Sequence, residues 1–235
     1  MSTRDNSKQT YKTIVPTKPK YIEHKVHHYQ QCFNWDCGIA CVMMLLSLEQ
    51  RDYLKKHFTK ICHDEGFLQS TWTIDLCFLL KRFGIEHCMY TIIKGVNSRR
   101  AINDGINYQA CKRVQIRISN AEEVGISIKE KELRMEELLS HVECNGPAIV
   151  LVDSPLLICD LCKHNKMKAE FRRAFGGRYK GHYVLIVGRS GNKVLYRDPA
   201  LSARLCATSP ARLHAARRAP GTDFDVILIN RDYST

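Results

Sequence analysis

The sequence has no long hydrophobic run and no apolar leader at its start. No stretch reaches the roughly 18 to 20 apolar residues that span a bilayer, and the longest one begins at Ile39. The first 20 residues, MSTRDNSKQTYKTIVPTKPK, show neither the apolar core and cleavage site of a signal peptide nor a Met-Gly start for acylation. We therefore expect no membrane partner. We also expect the 11 cysteines to be reduced thiols of a cytoplasmic protein, which could enter the nucleus, and not disulfides of a secreted one.

Signals for binding phosphate or nucleic acid are also missing. The chain has no Walker loop, no glycine-rich phosphate turn and no convincing pair of metal-binding aspartates. Helix-turn-helix, paired zinc-finger and RNA-recognition patterns are absent as well. The net charge of +12 favours an acidic partner, but the basic residues are scattered and lack the interleaved aromatics of a single-strand binder. Nucleic acid is therefore not the expected partner.

Composition and patterning predict one globular domain behind a flexible arm. Residues 1–20 are polar and aperiodic, which predicts a flexible basic arm, and residues 21–235 are interpreted as a single domain with 44% apolar content. The uniformly apolar run Cys37–Leu48 predicts a helix buried on all sides. A second helix is predicted over WTIDLCFLLKRFG, with its N-cap at Ser70, Thr71 or Thr73.

The remaining pattern indicates the fold class. Further helices are predicted around 108–118 and over 129–144, and strands are predicted at 85–93, 148–152, 183–187, 193–196 and 225–229. Because the helices mostly precede the strands, the sequence favours an α+β fold with an antiparallel sheet over a doubly wound parallel one.

Cys37 is the strongest candidate for a nucleophile, within QCFNWDCGIACVMMLL at positions 31–46. A thiol at a helix N-terminus is favoured in its thiolate form, and a neighbouring imidazole favours it further. We expect Gly38 to leave the approach to the sulfur open and Asp36 to cap the helix. The alternative is that Cys37 is an inert buried thiol, as Cys41 one turn later is expected to be.

A histidine and an aspartate from one hairpin complete the candidate site. In GHYVLIVGRSGNKVLYRD, a hairpin centred on Ser190 would place His182 directly opposite Asp198, so that the carboxylate could orient the imidazole. The Gln31 amide precedes Cys37 by six positions and could supply an oxyanion donor. Glutamine, cysteine, histidine and aspartate in this order follow the logic of papain-like cysteine hydrolases.

Longer motifs carry a resemblance to known families. Q-x5-C with DCG-x-A, followed downstream by GHYVLIVG and RDPA, resembles the bacteriocin-processing double-glycine cysteine peptidases. The same segments, with WTIDLCFLLKRFG, LVDSPLLICDLC and ARRAPGTDFDVILI, are more similar still to a eukaryotic family named for a guanylyl cyclase domain. The resemblance implies a papain-like fold with Cys37, His182 and Asp198 as the triad and Gln31 in the oxyanion position.

These residues together predict a hydrolase that cleaves a peptide or isopeptide bond in a peptide or protein substrate, without a cofactor. Two alternatives stay open: a catalytically silent papain-like binding module, or the guanylyl cyclase that the family name implies. A cyclase would need carboxylates that hold divalent metals against a triphosphate.

A second group of cysteines is a weaker candidate for a metal site. Cys159-x-x-Cys162, with His164 close by, has the spacing of half a zinc site, and Cys62 with His63 could supply the other half. The two stretches lie far apart in the sequence, and adjacent ligands fit zinc spacing poorly. We therefore favour reduced loop thiols over a metal site.

Overall fold

The computed structural model describes residues 21–67, 70–96 and 108–230; the predicted arm, residues 1–20, lies outside them. The helices are α1 (Cys37–Leu45), α2 (Leu48–Lys56), α3 (Phe58–Asp64), α4 (Thr73–Arg82), α5 (Tyr108–Asn120), α6 (Met135–Cys144), α7 (Lys166–Phe175) and α8 (Pro210–Arg217). The strands are β1 (Tyr21–Glu23), β2 (His87–Thr91), β3 (Ser127–Glu130), β4 (Ala148–Asp153), β5 (Gly181–Ser190), β6 (Lys193–Arg197), β7 (Cys206–Thr208) and β8 (Val226–Ile229). A short 3₁₀ turn, Ser154–Leu156, follows β4.

The described strands form one mostly antiparallel sheet. Its order is β3-β2-β8-β4-β5-β6-β7, and β1 pairs with the far end of β5. Among these pairings, only that of β2 with β3 is parallel. The α+β class with an antiparallel sheet is thus confirmed.

Both faces of the sheet are covered, and β5 belongs to both layers. Leu185 and Val187 pack in the apolar layer that contains α1 and α4. Val184 and Ile186 alternate with them and pack with residues of α6 and α8 on the other face. Because successive strand residues point to opposite faces, β5 has to be apolar throughout its centre. The functional candidates lie at the end of this strand.

Helix α1 is buried as the sequence predicts, with one exception. Every residue from Cys37 to Met44 is buried, and the helix packs on β5 and α4. The helix ends at Leu45, which is only half-buried, and Ser47 and Gln50 form a capping box that starts α2. The N-terminal buried helix on an antiparallel sheet is therefore present, and it is shorter than the predicted 37–48.

Other predicted boundaries need correction. The cap of α4 is at Trp72, whose N–H donates to the Asp75 carboxylate at 2.9 Å, and not at Ser70, Thr71 or Thr73. The helix predicted over 129–144 begins only at Met135, because the preceding segment pairs as β3 with β2. Local patterns did not reveal that pairing, since its partner lies some forty residues earlier. No described helix is long and apolar enough to cross a membrane.

Candidate active site

The two ends of the β5–β6 hairpin bring His182 and Asp198 together. His182 is the second residue of β5, and Asp198 directly follows β6. The His182 Nε2 atom lies 2.7 Å from Asp198 Oδ1, and both residues are buried. The backbone N–H of Ala200 donates to the same carboxylate oxygen at 3.0 Å, which holds it in place.

The register by which they meet differs from the prediction. Ser190 pairs with Lys193, and a bulge between Ile186 and Gly188 shifts the ladder so that Leu185 pairs with Arg197. Continued by one residue, this register would put Asp198 opposite Val184, so Asp198 is a diagonal and not a direct neighbour of His182. Diagonal neighbours remain within reach of long side chains, and the hydrogen bond forms.

The bulge lies beside Gly188, where β1 approaches β5 closely. A Cβ atom on Gly188 would lie 1.9 Å from the carbonyl oxygen of Ile22, so no side chain fits there. The close approach of β1 therefore requires glycine at this position. The sequence motif carries that glycine, but its reason becomes visible only when β1 is in place.

The environment of His182 favours its charged form. Burial lowers the pKa of His182, but the hydrogen bonds and charges of Asp198 and Cys37 outweigh burial and raise this pKa to about 10. Burial likewise raises the pKa of Asp198, but the hydrogen bond and charge of His182 and the N–H of Ala200 bring it below its ordinary value. The described groups thus favour an imidazolium between a carboxylate and a thiol.

Cys37 is the first residue of α1 and is 7% exposed. Its thiol interacts with His182, whose Nε2 atom is engaged by Asp198. Cys41, one turn along the helix, is fully buried, and burial raises the pKa of its thiol well above the ordinary value. The two thiols of one helix are therefore in different environments: one at its N-terminus beside an imidazole, the other within the core.

Two expectations about the residues beside Cys37 are wrong. Asp36 occupies the N-cap position of α1, but its side chain does not cap the helix; the carboxylate accepts from the N–H groups of Cys32 and Phe33, both at 3.0 Å, and so holds the preceding loop. Gly38 does not open a path to the sulfur, because it is buried against other side chains. It allows α1 to approach α4 and β5 closely.

The loop that carries Gln31 is tied to the segment after Asp198. The Gln31 backbone N–H donates to the Pro199 carbonyl at 2.9 Å. Its side-chain Nε2 donates to the Phe33 carbonyl at 2.6 Å, and its Oε1 is buried with no hydrogen-bond partner among the described residues. The structure therefore brings Gln31 to the candidate site, with its amide turned to its own loop.

The cysteine cluster gains a member that the sequence analysis missed. The sulfurs of Cys159, Cys162 and Cys206 all lie within 4.8 Å of one another. Cys206 is brought there by strand pairing, because it faces Tyr196 across β6 and β7. Among the described residues this is the one group of three or more histidine, cysteine or carboxylate side chains that could hold a metal ion. Cys62 and His63, on α3, are not part of it.

His164 lies within electrostatic reach of the histidine–aspartate pair. Burial lowers the pKa of His164, the charge of Asp198 opposes this effect, and Lys168 and His182 lower the pKa further. From the sequence, His164 is expected only as a neighbour of Cys162. No local signal could have placed it near Asp198, since the loop that carries it has no periodic pattern.

Comparison with known proteins identifies the family. A family model described as guanylylate cyclase matches residues 26–229, which is nearly the whole described chain. The chain is also 32% identical over 219 residues to Guanylyl cyclase 1 of Arabidopsis thaliana, and the match covers 90% of this chain and 78% of that protein. The chain therefore belongs to the guanylylate cyclase family.

Proposed function

We propose that this protein is a cysteine hydrolase in which Cys37 is the nucleophile, His182 the acid and base, and Asp198 the group that orients His182. The proposal rests on the contacts of the His182 ring, which is hydrogen-bonded to Asp198 at 2.7 Å and interacts with the Cys37 thiol at the start of α1. A thiolate beside an imidazolium is the resting form from which such enzymes react.

Another buried histidine shows how a purely structural one differs. His141 is 8% exposed, the same as His182, but its Nε2 bonds to the backbone carbonyl of Ile229 at 3.0 Å. Burial lowers the pKa of His141, while the pKa of His182 is raised. Burial alone therefore does not account for the charge of His182. A carboxylate and a thiol in contact with the ring favour a catalytic role over a structural one.

The proposed reaction is acyl transfer to water. The Cys37 sulfur attacks the carbonyl carbon of a peptide or isopeptide bond, and the carbonyl π electrons move to oxygen. His182 gives its proton to the leaving amine as the C–N bond breaks, which leaves a thioester. Water then attacks the thioester while His182 takes its proton, and the acid is released with the thiol restored. The N–H of Cys37 and the side-chain amide of Gln31 are the proposed oxyanion donors; the Gln31 amide would use the hydrogen that it does not give to the Phe33 carbonyl, or would turn from that carbonyl when substrate binds.

The proposal includes a papain-like arrangement in a single domain over residues 21–235. It is supported by a buried N-terminal helix that presents a cysteine to a histidine on an antiparallel sheet, and by a family match that spans 26–229. The net charge of +12 favours acidic segments in the substrate or partner.

Site-resolved alkylation tests the proposed nucleophile. Under limiting iodoacetamide near neutral pH, Cys37 should react faster than the more exposed Cys88, and much faster than Cys41. His182→Ala should slow the alkylation of Cys37, whereas the equally buried control His141→Ala should not. If Cys37 reacts no faster than Cys88, or is indifferent to His182→Ala, the nucleophile assignment fails. A Cys37 that accepts an acyl probe but never releases it to water would indicate a binding module.

Guanylyl cyclase activity is the second candidate, because the family model and the Arabidopsis relative both carry that name. Cyclisation needs charge stabilisation at a triphosphate, normally by divalent metals on carboxylates, and the one group of three or more possible metal ligands in the described segments contains no carboxylate. Incubation with GTP and Mg²⁺ or Mn²⁺, followed by mass spectrometry of the nucleotide, tests it. Cyclic GMP formation that survives Cys37→Ala would support the cyclase and place its chemistry outside the proposed triad.

A further inference from the structure

Three sulfurs converge beside the segment that carries Asp198, on two separate pieces of chain. Cys159 and Cys162 lie in the loop after β4, and Cys206 begins β7. Their sulfurs lie within 4.8 Å of one another, Cys159 and Cys206 are fully buried, and Cys162 is half-buried. Free cysteines are often buried, so burial alone does not indicate a function, but three sulfurs this close together offer three ligand atoms to one ion.

Backbone N–H groups already point at one of these sulfurs, that of Cys159. The N–H of Cys162 donates to Cys159 Sγ at 3.4 Å, and the backbone N–H groups of Leu161 and Ala207 are directed at the same sulfur. N–H donors of this kind stabilise sulfur in its anionic form and are typical partners of sulfur ligands around a metal.

The loop and β7 are fixed to each other by the backbone as well. The Asp160 N–H donates to the Ala207 carbonyl at 2.7 Å, and the Lys163 N–H donates to the Cys159 carbonyl at 3.0 Å. The positions of the sulfurs are therefore set by hydrogen bonds on both pieces of chain. A preformed set of ligands loses less conformational entropy when an ion binds.

The spacing suits one soft divalent ion. A zinc–sulfur bond is about 2.3 Å, so two sulfurs on a tetrahedral ion lie about 3.8 Å apart. Sulfurs within 4.8 Å of one another reach that spacing by small side-chain rotations. A redox pair fits less well, because reactive Cys-x-x-Cys motifs use a helix N-terminus, whereas α7 begins only at Lys166. A disulfide between any two of the three would also leave the third thiol without a role.

We propose that Cys159, Cys162 and Cys206 bind one Zn²⁺ ion as three thiolate ligands, with the fourth position left to water. The ion ties the loop after β4 to β7, whose Cys206 pairs with Tyr196 two residues before Asp198. By holding β7 against β6, the ion would also steady the strand that leads to Asp198. The inference does not depend on which reaction that site performs.

Metal reconstitution of the reduced full-length chain tests the proposal. After chelation and dialysis, Zn²⁺ should bind with a stoichiometry of one per chain, and Co²⁺ should give the thiolate charge-transfer absorption of a tetrahedral sulfur site. Cys162→Ser is the main variant, since its half-buried position tolerates the change, and Cys206→Ser is the second. Each should weaken zinc binding by at least the roughly 10- to 100-fold that loss of an outer partner costs.

Matched controls distinguish this site from other thiols. Cys88→Ser, also half-buried, and Cys62→Ser, the alternative partner considered from the sequence, should keep full metal binding and the cobalt absorption. The proposal is overturned if Cys162→Ser binds zinc as the wild type does, if the reduced protein binds none, or if purification with zinc yields a Cys159–Cys162 disulfide. Circular dichroism of each variant shows whether a loss of binding reflects unfolding, and the cobalt spectrum of the folded Cys162→Ser protein then decides.

Discussion

Replacing Asp198 with asparagine should return His182 to ordinary or lower basicity. The substitution keeps the size of the side chain and a hydrogen-bond acceptor but removes its charge. In the native protein the pKa of His182 is raised from 6.5 to about 10, although burial acts to lower it. At about 1.4 kcal/mol for each tenfold change in acidity, this difference corresponds to about 5 kcal/mol in favour of the imidazolium, which Asp198 and Cys37 supply together. The hydrogen bond to the Asp198 carboxylate is the largest favourable contribution, and asparagine can offer only a neutral, weaker acceptor, so the variant should lose much of this preference for the imidazolium.

Histidine ring resonances followed by NMR between about pH 5 and pH 10 measure the effect. In the wild type the His182 signal should remain that of an imidazolium at pH 8, and in Asp198→Asn it should be neutral there. Asp153→Asn is the matched control. Asp153 is also a buried aspartate, it lies at the end of β4 next to the start of β5, and its carboxylate accepts from the Lys180 N–H at 3.0 Å. It should leave the His182 titration unchanged.

Unfolding free energy gives an independent check, with a defined sign. A histidine with a raised folded pKa contributes stability that is complete below pH 6.5 and is lost as the pH rises towards about 10. At the acid end, the lowered pKa of Asp198 means that its contribution disappears as the pH falls below its ordinary value of 3.8. The stability difference between wild type and Asp198→Asn should therefore shrink from pH 7 to pH 10. A wild-type His182 that titrates near 6.5, or parallel stability curves for the two proteins, would refute the reasoning.

Two further substitutions test the packing around the site. Gly38→Ala should lower the free energy of unfolding by about 1 to 3 kcal/mol in chemical denaturation, although alanine favours helix. The reason is that the new Cβ would lie 2.7 Å from Leu76 Cδ1 and 3.0 Å from Tyr183 Cδ2. An unchanged midpoint would mean that α1 is free to shift. Burial raises the pKa of Asp225 to about 7 despite its hydrogen bond from Thr73, so the native carboxyl keeps its proton at pH values where the unfolded one has lost it. The wild type should therefore lose stability as the pH rises from about 4 to about 7, and Asp225→Asn should abolish this loss. Identical pH profiles for the variant and the wild type would contradict this account.

The sequence by itself determined the fold class and the residues of the candidate site. Uniform apolarity from Ile39 to Met44 required a buried helix, and β5 and β6, separated only by a short turn, had to form a hairpin. Such features depend on residues that are close in the chain, where periodicity and turn chemistry act directly. His182 and Asp198 could be paired in advance because a hairpin brings its two ends together in any nearby register.

Tertiary structure alone decided which groups meet across long stretches of chain. The need for glycine at position 188 comes from β1, which arrives from more than 160 residues away, and the register of the turn together with the bulge makes Asp198 a diagonal neighbour of His182. Cys206 joins Cys159 only because β7 pairs with β6, and His164 approaches Asp198 only because the loop after β4 folds back. These contacts rest on the shapes and hydrogen bonds of segments that have no pattern in common. The local sequence does not predict these contacts, because they form and contribute stability only after the sheet has brought the segments together.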